Sequence, residues 1–229
     1  MKRLFAIVLG FLVLLLVLGG LRARAAGSGG SERAALPAPD GATPPSDASA
    51  DAVAVFAGGC FWGIEAVFEH LRGVKSAESG YAGGSAESPS YDEVSSGSTG
   101  HAEAVRVVYD PSRITYAQLL QVFFAVAHDP TQLFRQGPDV GTQYRFAIFY
   151  GDDDQKRAAE AYIAQLTAAK TFPRPIVTVV APLRAFYPAE DYHQDYMAKN
   201  PYSPYIMIHD APKVENLKKR FAALYEGRR

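Results

Sequence analysis

The 229-residue chain contains a single cysteine, Cys60. No disulfide can form within it, so its stability rests on an apolar core and hydrogen bonds. It has no charge excess of either sign: 23 basic and 24 acidic residues leave a formal net charge of −1. That offers no basic surface to argue for a nucleic-acid partner. Its five histidines, His70, His101, His128, His193 and His209, include no pair at the i, i+4 spacing of a zinc helix. No metal site is expected. Internal repeats and a dinucleotide-type glycine fingerprint are also lacking.

Long apolar runs are confined to the start. Met1-Lys2-Arg3 precedes an apolar stretch from Leu4 to Leu21, and Ala23-Arg24-Ala25 follows. A basic start, an apolar middle and small residues at the end describe a secretory signal cleaved after Ala25. The stretch also reaches the lower limit for a membrane span, so residues 1–25 read as signal peptide or membrane anchor. Either places the remainder outside the cytoplasm, in the periplasm or anchored facing outward. Residues 26–50 are rich in Ala, Gly, Ser, Pro and Asp, with Leu36 the sole bulky apolar residue, and read as a disordered linker. Residues 51–229 then form one domain, expected to be monomeric.

Within that domain, Ala52–Phe56 reads as a strand, and Phe61, Ile64, Val67, Phe68 and Leu71 as the buried stripe of a helix. Strands are expected at 76–81, 101–109, 143–150 and 175–181. Helices are expected at 116–127, 152–170 and 214–225. The mixture predicts an α+β two-layer sandwich, with sheet on one side and helices on the other.

Cys60 falls in Gly58-Gly59-Cys60-Phe61-Trp62-Gly63, between the first strand and the first helix. Unpaired N–H groups and the helix dipole favour an anion there, which would lower the thiol pKa. The alternative is a small buried hydrophobe. Phe61 fits the buried stripe. Trp62 falls off it, beside the thiol, as a substrate wall or as packing beneath a loop. Glu103 shares a strand face with Val105, Val107 and Tyr109. Facing the core, it would be desolvated into a proton donor near neutral pH; facing the rim, it would pair with Arg106 or Arg145. Tyr144 alternates with Phe146, Ile148 and Tyr150, as a core tyrosine or a polar contact. Asp139 and Tyr91 read equally well as loop residues. Because His101 lies two residues before Glu103, spacing alone leaves open a cysteine hydrolase using Cys60 and His101.

Four blocks occur in order: Gly59-Cys60-Phe61-Trp62-Gly63, Gly100-His101-Ala102-Glu103-Ala104-Val105, Gln136 through Arg145, and Asp191-Tyr192-His193-Gln194-Asp195-Tyr196. Together they resemble the peptide-methionine sulfoxide reductases of the A type, over Asp51 to about Phe221. The resemblance implies a ferredoxin-like α+β fold and reduction of the S epimer of methionine sulfoxide, free or in oxidised proteins. It implies Cys60 as nucleophile, Phe61 and Trp62 as holders of the substrate methyl group, and Glu103 as acid beside the sulfoxide oxygen. Tyr91 and Tyr144 would bind that oxygen, Asp139 would support the site, and Tyr196 matches a further family tyrosine. No bound cofactor is implied.

The departures concern the second half of the cycle. Family members often carry further cysteines, but Ser95 and the segment Asn200–Tyr205 offer none here, and Val140 stands where histidine is common. The Cys60 sulfenic acid must then be reduced by an external thiol, a thioredoxin-like protein or a small molecule. A catalytically inactive relative that binds methionine-rich partners is the remaining alternative.

Overall fold

The computed structural model describes residues 36–40, 50–85, 87 and 89–227. The signal or anchor segment at 1–25, and positions 26–35 and 41–49 of the linker, lie outside the described residues. In chain order the elements are β1 (Ala52–Gly58), α1 (Phe61–Glu69), β2 (Val74–Ala82), α2 (Tyr91–Ser95), β3 (Ala102–Tyr109), α3 (Tyr116–Val122), β4 (Arg135–Gln136), β5 (Asp139–Val140), β6 (Phe146–Tyr150), α4 (Asp153–Ala168), β7 (Val179–Pro182), β8 (Phe186–Pro188), α5 (Tyr196–Lys199) and α6 (Ala211–Arg220). Among them no helix is long and apolar enough to cross a membrane.

Six strands form a mixed sheet in the order β7-β6-β1-β3-β2-β8, while β4 and β5 make a separate small hairpin. Neighbours are antiparallel except β6 and β7, which run parallel across the α4 crossover. The period-2 alternation of the strands sorts their side chains. Phe56, Val105, Val107 and Ile148 face the helices and join Ile64, Phe68, Leu119, Leu120 and Leu217 in the main core. Phe56 lies between Phe68 and Phe123, with centroids 5.1 and 4.9 Å away. Each such buried side chain contributes ~1.5–3 kcal/mol, which lets a domain of this size dispense with disulfides. The opposite face carries Val55, Ala57, Ala102, Ala104 and Ala147, covered in part by Leu183 and Phe186. The expected α+β arrangement with helices packed on one side is therefore present.

Several boundaries move. The helix expected through Ala127 leaves α geometry after Val122 and continues as a wider turn over Phe123–Ala127, whose residues are all buried. The strand expected from Gln143 begins at Phe146. Tyr144 instead ends a tight turn over Thr142–Tyr144, after Gly141. Leu71 lies beyond α1 and bridges Tyr225.

The linker expectation fails at Leu36–Asp40. Leu36 is only 5% exposed and sits in the main core. Gln121 donates to Leu36 O (3.0 Å), Tyr162 to Pro37 O (2.9 Å) and Gln165 to Ala38 O (2.9 Å). Gln165 Oε1 also accepts from Asp40 N–H (3.0 Å). Composition predicts disorder because the segment has little apolar surface of its own. A groove along α3 and α4 supplies the missing partners.

Candidate active site

Cys60 occupies the cap position of α1, with φ −55° and ψ 125°. The turn before it needs Gly59, whose φ is +94° and where any Cβ would run into the Gln136 side chain. Beginning the helix at Phe61 leaves its first N–H groups without intrahelical partners. The first of them is used at the site: Phe61 N–H donates to Glu103 Oε2 at 3.0 Å. The start of α1 thus carries the thiol at its cap and holds the carboxyl by its first N–H.

Glu103 is 2% exposed, on the β3 face that points into the core. Burial pushes its carboxyl up to about 8, against the Phe61 N–H bond, and Asp139 and Asp210 add to the rise. It is therefore protonated at neutral pH. The rim pairing considered for it does not occur: Arg106 pairs with Glu78, and Arg145 donates to the Thr142 and Gly100 carbonyls.

The expected lowering of the Cys60 pKa is not found. The thiol is 6% exposed, and burial pushes it well above its ordinary value, with Glu103 and Asp210 adding to the effect. The nearby Trp62 backbone N–H and Lys213 pull the other way and are outweighed. Desolvation of a thiolate exceeds what one helix end returns.

Aromatic rings build the wall beside the sulfur. The Trp62 indole stacks on Tyr196, centroids 3.7 Å apart and 9° from parallel, and meets Tyr205 edge-on at 5.7 Å. Its Nε1–H donates to His193 Nδ1 at 3.1 Å. It is half-buried and fixed rather than a free exposed ring. Phe61 is fully buried and packs against the His193 ring, centroids 5.0 Å apart. Tyr196 owes its place to buried Glu65, which accepts from Asp195 N–H (3.2 Å) and Ser79 hydroxyl (3.0 Å), pinning the start of α5 to α1 and β2.

Tyr91 and Tyr144 converge from separate segments. Burial raises the Tyr91 phenol to about 12, followed by the charge of Glu103, and raises Tyr144 further in the same way. Both phenols remain protonated donors. Glu190 fixes Tyr91 by accepting its backbone N–H (2.8 Å) while taking the Tyr81 hydroxyl (2.8 Å) on its other oxygen. Asp139 accepts the hydroxyl of Tyr205, and burial raises its carboxyl. Sequence reasoning does not single out Tyr205, Glu190, Asp210 or Lys213; only Tyr205 lies in a segment noted there, for the cysteine it lacks. His101 is turned elsewhere: its Nδ1 accepts from Gly84 N–H (3.2 Å) and its ring meets Tyr187 edge-on. The hydrolase reading is not favoured.

The sequence profile of the family described as peptide methionine sulfoxide reductase matches residues 52–225. A peptide methionine sulfoxide reductase of Mesorhizobium japonicum is 58% identical over 172 residues, covering 75% of this chain and 88% of its own length. One from Thermus thermophilus is 53% identical over 172 residues, with 75% and 96% coverage. Among solved structures, methionine sulfoxide reductase A of Corynebacterium diphtheriae superposes with a TM-score of 0.59 at 38% identity, covering 69% of this chain and 80% of that one. Reduced Mxr1 from Saccharomyces cerevisiae gives 0.61 at 36% identity, with 72% and 92% coverage. A match across three quarters of the sequence, on a fold shared with solved methionine sulfoxide reductases, places this chain in the peptide methionine sulfoxide reductase family.

Proposed function

We propose that Cys60 and Glu103 carry the thiol-dependent reduction of methionine S-sulfoxide that this chain performs in repairing oxidised proteins. The observation that supports these roles is the start of α1, which carries the Cys60 thiol at its cap and holds the Glu103 carboxyl by its first N–H. The Cys60 sulfur attacks the sulfoxide sulfur while Glu103 gives its proton to the oxygen, aided by the phenols of Tyr91 and Tyr144. The oxygen passes to Cys60. The substrate sulfur is reduced by two electrons to the thioether, and Cys60 is oxidised by two to a sulfenic acid. The proton lost by the thiol restores Glu103. Phe61 and the braced Trp62 indole receive the methyl group, with Tyr196 holding the indole. Apolar wall and oxygen site together distinguish the two epimers. Asp139 supports the site through Tyr205.

With no second cysteine, two equivalents of an external thiol return Cys60 to the thiol and release water and a disulfide. We assign that task to a thioredoxin-like protein, with a small thiol as the alternative. No prosthetic group takes part. Leu4–Leu21 supports export to the periplasm, or an outward-facing membrane anchor if it is not cleaved. The β1-α1-β2-β3-α3-β6 order supports a ferredoxin-like centre.

Purified protein with dithiothreitol should reduce the S epimer of methionine sulfoxide and leave the R epimer untouched. Turnover of the R epimer, or of neither, refutes the assignment.

A further inference from the structure

Beneath the first turn of α1 lies an ion pair that the reaction above does not use. Asp210 is fully buried, and its Oδ1 accepts from Lys213 Nζ at 2.9 Å. Its Oδ2 is also buried and has no hydrogen-bond partner. The Lys213 side chain is 13% exposed. The pair is pressed against Gly63, one helical turn after Cys60, where any Cβ would overlap the Asp210 carboxylate and crowd Lys213 Nζ. A buried pair of this kind seldom repays its desolvation, and apolar residues of similar volume would often serve the fold as well or better. One carboxylate oxygen left without a partner raises the cost further.

On the reading that Cys60 is the nucleophile, we propose that Asp210 and Lys213 are positioning residues that set the charge beneath the sulfur. Lys213 supplies the cation that favours the thiolate, and Asp210 holds it in place and limits its effect. The other groups that act on Cys60 are an acid and phenols: Glu103 from β3, and the hydroxyls of Tyr91, Tyr144 and Tyr205. Lys213 is the cation whose field reaches both the sulfur and Asp139. Its pull on the thiol is opposed by that of Asp210. The arrangement also gives a reason for the glycine at 63, since only a residue without Cβ lets the pair come this close to the helix.

Because Cys60 is the one cysteine in the chain, its alkylation by iodoacetamide reads the thiolate directly, without any sulfoxide turnover. Asp210→Asn leaves the Lys213 charge unopposed and should lower the pH midpoint of alkylation by on the order of one unit. Adding Lys213→Met to Asp210→Asn should raise the midpoint again by a similar amount. A midpoint that stays put or rises in Asp210→Asn overturns the proposal, as does one that fails to rise in the double variant. Asp210→Ser leaves the same cation unopposed and replaces Asp210→Asn should the latter not fold. A purely structural role would change stability while leaving the midpoint in place. Failure of S-epimer turnover in the unmodified protein would instead strike the function proposed above, and the two results are read separately.

Discussion

Replacing Glu103 with Gln tests the central electrostatic claim through stability as well as rate. The carboxyl has an ordinary value of 4.5 and is pushed to about 8 in the fold, chiefly by burial. Between those two values the folded protein keeps a proton that the unfolded chain releases. Stability therefore falls as pH rises through that window, and the contribution is fully present only below about 4.5. At 1.36 kcal/mol per pH unit, the loss amounts to ~3 kcal/mol by pH 7 and approaches ~5 kcal/mol above pH 8, as upper figures for a fully buried group. Glu103→Gln supplies a neutral isostere of the protonated acid, whose side-chain oxygen still accepts the Phe61 N–H. The variant should carry no such penalty. Urea unfolding of both proteins at pH 5, 7 and 9 isolates the effect, because every other titrating group is shared. The Gln variant should gain on the parent by ~2–4 kcal/mol between pH 5 and pH 9, while losing most of its sulfoxide reductase rate at neutral pH. Parallel stability profiles would refute the claim that Glu103 is neutral in the fold. An unchanged rate would move proton donation elsewhere, to Tyr144 for instance.

Cys60→Ser should abolish sulfoxide reduction, measured by methionine release, since no other thiol exists to accept the oxygen. One equivalent of S-sulfoxide without reductant should leave the parent protein with a sulfenic acid at Cys60 that dimedone traps, read by peptide mass spectrometry; absence of the adduct after methionine release would contradict the cycle. Leu36→Ala should destabilise the domain by about 2–4 kcal/mol, because it empties a buried site under the Gln121, Tyr162 and Gln165 contacts. An unchanged unfolding midpoint would show that Leu36–Asp40 adds nothing to the fold.

Local order is legible where the signal is local. The glycine turn before Cys60, the Phe61–Phe68 stripe and the alternation that turns Glu103 inward are properties of short windows, and the ordered motif blocks point to the family. Tyr144 reads as part of a strand because alternation continues past the point where Gly141 and the Thr142–Tyr144 turn interrupt the sheet. The expectation of disorder around Leu36 fails because composition sees a segment without its groove.

What sequence alone determined was the chemistry available: one thiol, no internal resolving partner, and an acid on an apolar strand face. Tertiary structure decided how those groups behave. Desolvation depends on everything packed around a group, so the rise of the Cys60 pKa, opposite to the local helix-end argument, emerged only from the assembled core. The bracing of Trp62 by Tyr196 and His193, and the packing of Gly63 on the Asp210–Lys213 pair, join residues more than a hundred positions apart. Such contacts carry no short-range pattern, because only the closed fold brings their partners together.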